Sequence, residues 1–350
     1  PVMPFLDSLK ENTIRGNLYV PVVGGNTATT EYEFLTGDSM AFLPSDSVAY
    51  QQFIQTENPS LPTTLKESGY RTLAMHPYGE KGWNRDQVYP LLGFDEMFFL
   101  NDFKHQAKIR KYVSDHSVYQ EMIDLFEQKK AEERLFYFTV TMQNHGGYST
   151  PLGNFRPSVS VVSPDDGYDL TTMEIYLSLM RESDSALKSL IKYFNEIDEK
   201  TIILFFGDHQ PHDYAIRSLL EQNGYGFTKE EMDQNRRIVP YVLWANYPIE
   251  EQEELDISAN FLSSLLMETA GLEQSPYGYF LSNLRKTIPV MTPNYYSDHN
   301  QRYGYAEASK EHKLLFNEYE MLQYNRLFET ARRVDRLFYP AKPKIGLGKE

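Results

Sequence analysis

The feature that most constrains this chain is an alternation of short apolar runs with longer segments of helical periodicity. The run 201–206 is rich in β-branched and aromatic residues and is predicted to be a buried strand with parallel partners. Segment 172–194 before it places Met173, Met180 and Leu187 at helical spacing. Such alternation predicts an α/β fold with a mostly parallel central sheet and helices on both faces, followed by a smaller C-terminal region of helix and strand.

The chain contains 350 residues, enough for one large domain or two ordinary ones. We find neither an internal repeat nor a linker that divides it. We therefore predict one catalytic domain over residues 1–300, and a C-terminal helix and tail over 301–350 that pack on it or follow it.

Polar residues stand where the strand 201–206 ends, in the order Gly207, Asp208, His209. The carboxyl ends of strands in open α/β sheets are where ligands bind. A carboxylate beside an imidazole is a donor set suited to Mn²⁺ or Zn²⁺, although an Asx turn followed by a surface histidine is equally compatible with the sequence. Two other Asp-His pairs, at 115–116 and 298–299, follow no predicted strand, and we interpret them as ordinary surface features.

A second candidate is Thr27, in a Gly24-Gly25-Asn26-Thr27 turn that follows the apolar stretch 18–23 and leads into a predicted helix. Glycines let backbone approach a ligand, and the free N–H groups of a helix start favour an anion. A hydroxyl at such a place could attack phosphorus. The alternative is that Thr27 is only the N-cap of the helix.

Two further predicted strands also end in polar residues. Strand 70–75 runs into His76, and strand 135–141 runs into Gln143-Asn144-His145. Trp83 and Arg85 follow His76 closely. Each of these side chains has a structural alternative: a capped strand end for His76, core packing for Trp83, and a surface ion pair for Arg85.

Composition excludes several classes of function. The net charge of −15 argues against a nucleic acid as the main partner, which needs a cationic surface. The chain has no cysteine, which excludes thiol catalysis, a cysteine-ligated zinc and disulfides. No run of 18 apolar residues is present, and no signal peptide is recognisable.

In combination, Gly-Asn-Thr with Glu31 after it, His76 with Trp83 and Arg85, Asn144-His145, and Phe-Gly-Asp208-His209 resemble the lipoteichoic acid synthase family. These are phosphoglycerol transferases of the sulfatase and alkaline-phosphatase superfamily. The resemblance covers nearly the whole chain.

The resemblance implies a role for each matching residue. Thr27 would be the nucleophile that takes glycerol phosphate and, with Asp208 and His209, a ligand of one ion, Mn²⁺ in the first place, with Mg²⁺ or Zn²⁺ as alternatives. His76, Trp83, Arg85 and His145 would hold the glycerol-phosphate head group. We also assign to His145 the transfer of a proton at the leaving oxygen.

The resemblance further implies phosphatidylglycerol as donor, and a teichoic-acid-like polyglycerol phosphate or a glycan as acceptor. It places the domain at the extracytoplasmic face of a bacterial membrane, anchored by helices absent from this chain or released as a soluble domain. The family also carries an acidic metal ligand at the end of a strand upstream of Pro1. We expect the metal site of the chain as given to be depleted, and apolar strand edges to lack a partner.

Other functions stay open at this point. A sulfatase of this superfamily needs a Cys or Ser that becomes formylglycine, which Thr27 cannot do. A phosphoethanolamine transferase shares the threonine nucleophile, but usually has more metal-binding histidines and often disulfides. A phosphodiesterase that uses water, and a catalytically inactive binding domain of the same fold, are the remaining alternatives.

Overall fold

A computed structural model of the chain describes residues 1–149, 153–162, 170–216, 228–299 and 301–341. Its longer helices follow the predicted segments, and several begin at side-chain caps; Ser60, for example, accepts the backbone N–H of Thr63. The α-helices are α1 Pro4–Ser8, α2 Thr27–Thr36, α3 Ala49–Gln52, α4 Leu61–Glu67, α5 Arg85–Leu91, α6 Asp115–Glu127, α7 Thr171–Asn195, α8 Lys229–Arg236, α9 Leu262–Thr269, α10 Pro276–Arg285 and α11 Lys310–Leu327.

The strands are short, and the apolar runs of the sequence form the central ones. They are β1 Thr13–Tyr19, β2 Tyr70–His76, β3 Glu96–Phe99, β4 Lys108–Ile109, β5 Tyr112–Val113, β6 Arg134–Thr139, β7 Ile202–Phe206, β8 Ile238–Ala245, β9 Ile257–Ser258, β10 Val290–Met291, β11 Tyr295–Ser297 and β12 Arg302–Gly304.

Two sheets form the centre of the fold. One has the order β3-β2-β6 and is parallel throughout. The other has the order β7-β8-β1-β9, in which β8 runs antiparallel to both of its neighbours and β1 runs parallel to β9. Because β1 and β7 both oppose β8, they point the same way. Their carboxyl ends, which lead to Thr27 and Asp208, therefore lie at the same end of this sheet.

The sequence-based interpretation of β7 needs correction in two respects. Its described partner strand is β8, which is antiparallel, and all five of its apolar residues are half-buried. The physical reason is its place in the sheet. Both β7 and β6 are terminal strands in the pairing of the described residues, so the outer edge of each has no strand against it.

Helices cover both faces of the strands, as the α/β prediction required. In β8, Val239, Tyr241 and Leu243 belong to one core and the alternating Val242 and Trp244 to another. The first core includes apolar residues of α2, α4 and α9, and the second includes those of α6 and α7.

Helix α2 joins the two sheets. The ring of Phe34 lies 5.7 Å from that of Phe138 in β6 and 5.3 Å from that of Phe206 in β7, measured between centroids. A single buried side chain thus contacts a terminal strand of each sheet. This packing places the start of α2, with Thr27, beside the carboxyl end of β7.

The C-terminal region is continuous with the rest of the described structure. The predicted boundary at 300 falls between β11 and β12, which pair with each other. Apolar residues of α10 and α11 share one core with Phe261 and Tyr296. Among the described residues, no helix combines the length and the apolar character needed to cross a membrane.

A buried ion pair fixes the end of α2. Asp38 and Arg326 of α11 form a salt bridge with side-chain exposures of 0% and 1%. The hydroxyls of Tyr32 and Tyr277 also donate to Asp38, at 2.5 and 2.8 Å.

Replacing Arg326 by Leu removes the cation and leaves the Asp38 carboxylate buried with neutral donors only. We expect a loss of about 3–5 kcal/mol in the free energy of unfolding, measured by urea denaturation. The exposed Arg332→Leu serves as control and should change it by less than about 0.5 kcal/mol. Equal effects of the two substitutions would contradict this account of the ion pair.

Candidate active site

The turn before α2 presents the Thr27 hydroxyl instead of using it as a cap. Asn26 is the N-cap residue, in the left-handed conformation with φ of 63°, and makes no side-chain capping bond. Thr27 is the first residue of α2, so the alternative interpretation of Thr27 as the N-cap is wrong. Gly24 also has a positive φ, 73°, which its lack of a Cβ permits.

Asp208 and His209 follow β7 and meet Thr27. The Thr27 hydroxyl donates to Asp208 Oδ2 at 2.7 Å, and its oxygen lies 3.3 Å from His209 Nε2. Asp208 Oδ2 and His209 Nε2 are 3.2 Å apart. The structure therefore brings together the three residues that the sequence predicted to act at one ion.

The hydrogen bonds of His209 indicate where a proton or a metal ion would bind. Its Nδ1 lies 2.8 Å from the Gln210 carbonyl oxygen, which can only accept, so the Nδ1 carries a proton. In the neutral ring, Nε2 then turns a lone pair toward Asp208 Oδ2. Two acceptors this close need a proton or a metal ion between them, and a hydroxyl, a carboxylate and an imidazole are ligands that Mn²⁺ and Zn²⁺ accept.

The donor set by itself is small. Within the described part of the chain, no group of three or more His, Cys, Asp or Glu side chains is arranged to hold a metal ion. Asp208 and His209 supply two such groups, and Thr27 supplies a hydroxyl as the third donor. The residues present therefore fit an ion but do not complete a shell of four ligands.

Sequence reasoning missed Thr30, which fixes this geometry. Its hydroxyl donates to the backbone carbonyl of Asp208 at 2.7 Å and so ties the loop after β7 to α2. Thr30 lies one turn after Thr27 and hence on the same side of the helix. The three-residue spacing from Thr27 could have predicted that Thr30 also lies at the site.

His76 and Arg85 lie together but are buried, with exposures of 2% and 3%. His76 Nδ1 donates to the Val140 carbonyl oxygen at 2.8 Å, and Arg85 Nη1 donates to His76 Nε2 at 3.2 Å. Burial first, and then the Arg85 charge, lower the pKa of His76 to about 3. The ring is therefore neutral at neutral pH, and both of its nitrogens are occupied within the protein.

Glu31, like Thr30, contributes to the site although the sequence analysis gave it no role. This buried carboxylate of α2 forms a salt bridge with Arg85 and accepts the hydroxyl of Tyr89 at 2.9 Å. Arg85 is thus an internal ion-pair residue, not the surface one of the alternative interpretation. Its predicted contact with a head group stays a prediction.

Trp83 is half-buried and packs against the larger core. It has a φ of 57°, and Asn84 after it has a φ of 58°. Two successive non-glycine residues in the left-handed region each cost of the order of 1 kcal/mol or more, a strain that clusters at functional sites. The substrate-holding role of Trp83 remains a prediction.

His145 lies in the loop after β6, where it is exposed, with its Nδ1 3.2 Å from the hydroxyl oxygen of Tyr112. Burial lowers its pKa, and the neighbouring His209 lowers it further. The predicted role of His145 at the leaving oxygen stays a prediction.

A buried network supports this loop. Ser183 of α7 donates to Asp115 Oδ2 and accepts from the amides of Gln143 and Asn144, at 3.1 and 2.8 Å. The interpretation of the Asp115-His116 pair as an ordinary surface feature holds for His116, which is exposed, but not for Asp115, whose exposure is 2%. Asp115 starts α6 after a serine cap, a signal that the sequence carried.

The chain matches the sulfatase family over residues 1–272, and it belongs to that family. A protein of Rhizobium meliloti (strain 1021) named as a cyclic beta-1,2-glucan modification protein is 31% identical over 332 residues, which are 92% of this chain and 51% of that protein. Lipoteichoic acid synthase 1 of Bacillus subtilis (strain 168) is 26% identical over 250 residues, 68% of this chain and 37% of that protein. The chain thus spans about half, or less, of the length of these relatives.

A solved structure has the same fold. Streptococcus pyogenes phosphoglycerol transferase GacH, in complex with sn-glycerol-1-phosphate, superposes with a TM-score of 0.72 at 23% identity, covering 97% of this chain and 83% of that one. The predicted α/β class and the resemblance to lipoteichoic acid synthases are confirmed.

The neutral His76 makes stability depend on pH. Unfolding returns the imidazole to its ordinary pKa, so between about pH 6.5 and 3 the unfolded chain binds a proton that the folded chain does not. Stability from this group is present above that window and is lost as the pH falls through it. From pH 6.5 to 5 the loss should be about 2 kcal/mol.

We expect His76→Gln to remove this part of the pH dependence, whatever its pH-independent cost. The measurement is urea unfolding at pH 7, 6 and 5. His116→Gln, at an exposed position, is the control and should keep the wild-type dependence. A wild-type slope in His76→Gln would count against a neutral buried His76.

Proposed function

We propose that this chain is the catalytic domain of a metal-dependent phosphoglycerol transferase. It would move glycerol phosphate from phosphatidylglycerol, through a covalent Thr27 intermediate, to an alcohol of a teichoic-acid-like or glycan polymer. The observation that carries the proposal is the Thr27 hydroxyl at the start of α2, within 3.3 Å of both Asp208 and His209 side-chain atoms.

The first step exchanges one phosphorus–oxygen bond for another. Thr27 Oγ1 attacks the phosphorus of phosphatidylglycerol, and the bond from phosphorus to the diacylglycerol oxygen breaks. Asp208, which already accepts the Thr27 proton in a hydrogen bond, is placed to stabilise its departure. The Thr27 proton leaves to solvent water, His145 donates a proton to the diacylglycerol oxygen, and the free N–H groups at the start of α2 would face the phosphoryl oxygens.

Thr27, Asp208 and His209 would hold the ion, which we propose to be Mn²⁺, with Mg²⁺ or Zn²⁺ as alternatives. When bound, it would favour the threonine alkoxide and neutralise phosphoryl charge. The lone pairs that Asp208 and His209 turn toward one another support this assignment.

The head group would lie against Trp83 and His145, with His76 and Arg85 behind them. Because both nitrogens of His76 are occupied, it and Arg85 would shape the pocket more than they bind by charge. The strained backbone at Trp83 and Asn84 supports a functional constraint there. Phosphatidylglycerol as donor also supports the extracytoplasmic membrane face as the place of action, with a tether outside this chain.

Thr27→Ala removes the nucleophile and should reduce diacylglycerol release from fluorescent phosphatidylglycerol by at least about 10³-fold in the presence of Mn²⁺. Thr27→Ser should retain activity. Thr29→Val is the matched control in the same helix, since the buried Thr29 hydroxyl has no hydrogen-bond partner among the described residues. Unchanged release by Thr27→Ala would sink the transferase assignment.

The metal assignment can be tested by Mn²⁺ binding without substrate. The chain from Pro1 supplies three donors, and the unpaired edges of β6 and β7 offer places for a further strand. We therefore expect weak Mn²⁺ binding by the chain as given, and tighter binding by a chain extended upstream.

In the extended chain, Asp208→Asn should weaken Mn²⁺ binding by at least about tenfold in titration calorimetry. The exposed Asp46→Asn, the same chemical change, should leave binding unaltered. Metal binding that ignores Asp208, or a full ligand shell in the chain from Pro1, would refute the assignment.

A further inference from the structure

Three tyrosines lie near the loop of His145 and have no part in the function described so far: Tyr112 contacts His145, Tyr78 contacts Tyr112, and Tyr214 contacts Gly147. Tyr78 follows β2, Tyr112 begins β5, and Tyr214 follows the Asp208-His209 loop. We call these three residues the tyrosine rim. Tyr78 and Tyr214 are among the most exposed large apolar side chains of the described residues, at 47% and 38%.

One side of the rim is a row of rings that leads to the candidate catalytic histidine. The centroid distances are 6.2 Å from His76 to Tyr78, 5.9 Å from Tyr78 to Tyr112, and 5.4 Å from Tyr112 to His145. Successive rings meet edge to face; His76 is buried, Tyr112 is half-buried and Tyr78 is exposed. The row therefore extends from a buried base to an open surface.

Tyr214 lies across the Gly146-Gly147 turn from this row. Its hydroxyl accepts the Gly147 N–H at 2.8 Å, and a Cβ on Gly146 would come within 3.2 Å of the same oxygen. Because both residues are glycines, no side chain of this turn projects between Tyr214 and the row of rings. The ring of Tyr214 also contacts that of His212, in a tilted arrangement with 5.3 Å between the ring centroids.

Exposed aromatic rings beside a transfer site suit one class of ligand well. A pyranose presents a flat face of C–H groups that packs on an aromatic ring, and its hydroxyls bond to phenol oxygens at the ring edge. Tyrosine offers both an apolar face and a polar end. In this protein the three rings lie near the loop that carries His145.

We propose that the tyrosine rim is the acceptor subsite and that it binds the sugar rings of a neutral glycan. The inference rests on the proposed transferase function and names the acceptor class for it. The Rhizobium relative, named for the modification of a glucan, supports the same class.

Charge favours a neutral glycan over a polyglycerol phosphate chain. The latter carries a negative charge on every repeat and would need cations along its path, in a chain whose net charge is −15. The three rim tyrosines are uncharged at neutral pH. The exposed Lys111, near Gly147, is the cation that would serve a charged acceptor, and it provides a test.

The second step then completes the transfer. A sugar hydroxyl oxygen attacks the phosphorus of Thr27-phosphoglycerol, and the bond from phosphorus to Thr27 Oγ1 breaks. The sugar proton passes to the imidazole of His145, which gave up a proton in the first step, and the Thr27 oxygen takes a proton from solvent water. The net change is a glycerol-phosphate ester on the sugar and a restored threonine hydroxyl.

The experiment measures glucan binding and catalysis separately, both on the upstream-extended chain used for the Mn²⁺ titration. Binding of a cyclic β-1,2-glucan is followed by titration calorimetry without donor lipid. Catalysis is followed with phosphatidylglycerol and Mn²⁺, with diacylglycerol release and glycerol phosphate on the glucan measured as two products. Tyr78→Ala is compared with Tyr78→Phe, which keeps the ring, and with Tyr279→Ala, which removes an equally exposed tyrosine elsewhere, at 50% exposure.

We expect Tyr78→Ala and Tyr214→Ala each to weaken glucan binding about tenfold, as the loss of one stacked ring does in other ring-stacking sites. Both should leave diacylglycerol release without glucan within about twofold of wild type, because no donor contact is lost. Tyr78→Phe and Tyr279→Ala should bind glucan as the wild type does. Lys111→Gln should have no effect on glucan transfer.

Several results would overturn the proposal. The first is the absence of saturable glucan binding to the wild type. The second is a loss of diacylglycerol release without glucan in the tyrosine variants, which would make the rim a donor-lipid site. The third is transfer to polyglycerol phosphate that depends on Lys111 and not on the tyrosines. Failure of the transferase function would appear instead as no diacylglycerol release by the wild type, while the binding comparison would still decide the role of the rim.

Discussion

The packing of helix α2 against both sheets is the constraint on which the rest of this structure depends. Phe34 contacts Phe138 of one sheet and Phe206 of the other, so the helix fixes the strands relative to each other. The buried Asp38–Arg326 pair holds its far end. With both contacts made, the first turn of α2 has one position, and that position puts Thr27 against Asp208.

The same helix organises the charges behind the site. Glu31, one turn after Thr27, forms a salt bridge with Arg85; burial first, and then the Arg85 charge, lower the pKa of His76 and keep its ring neutral. An unpaired charge among these groups would be costly in so buried a place, whereas the paired set is stable and rigid. The candidate site is therefore polar at its open side, and the buried charges beneath it are paired.

Around this base, the loops after β2, β6 and β7 add His145 and the tyrosine rim. The loop of His145 is held from below by Ser183 and Asp115, and from the side by Tyr112. Rigid support under an open aromatic surface suits the proposed use of one site for a lipid head group and then for a second, bulkier alcohol.

The sequence by itself determined the strand ends, the helix starts and the residue types that can bear phosphoryl-transfer chemistry. Thr27, His76, His145, Asp208 and His209 were predictable because glycine turns and apolar runs leave local patterns. Only the tertiary structure decided that β7 pairs antiparallel with β8, that Arg85 faces Glu31, that Asp115 is buried, and that the tyrosine rim lies near the loop of His145. Those outcomes depend on contacts between residues far apart in the chain, which no local pattern encodes.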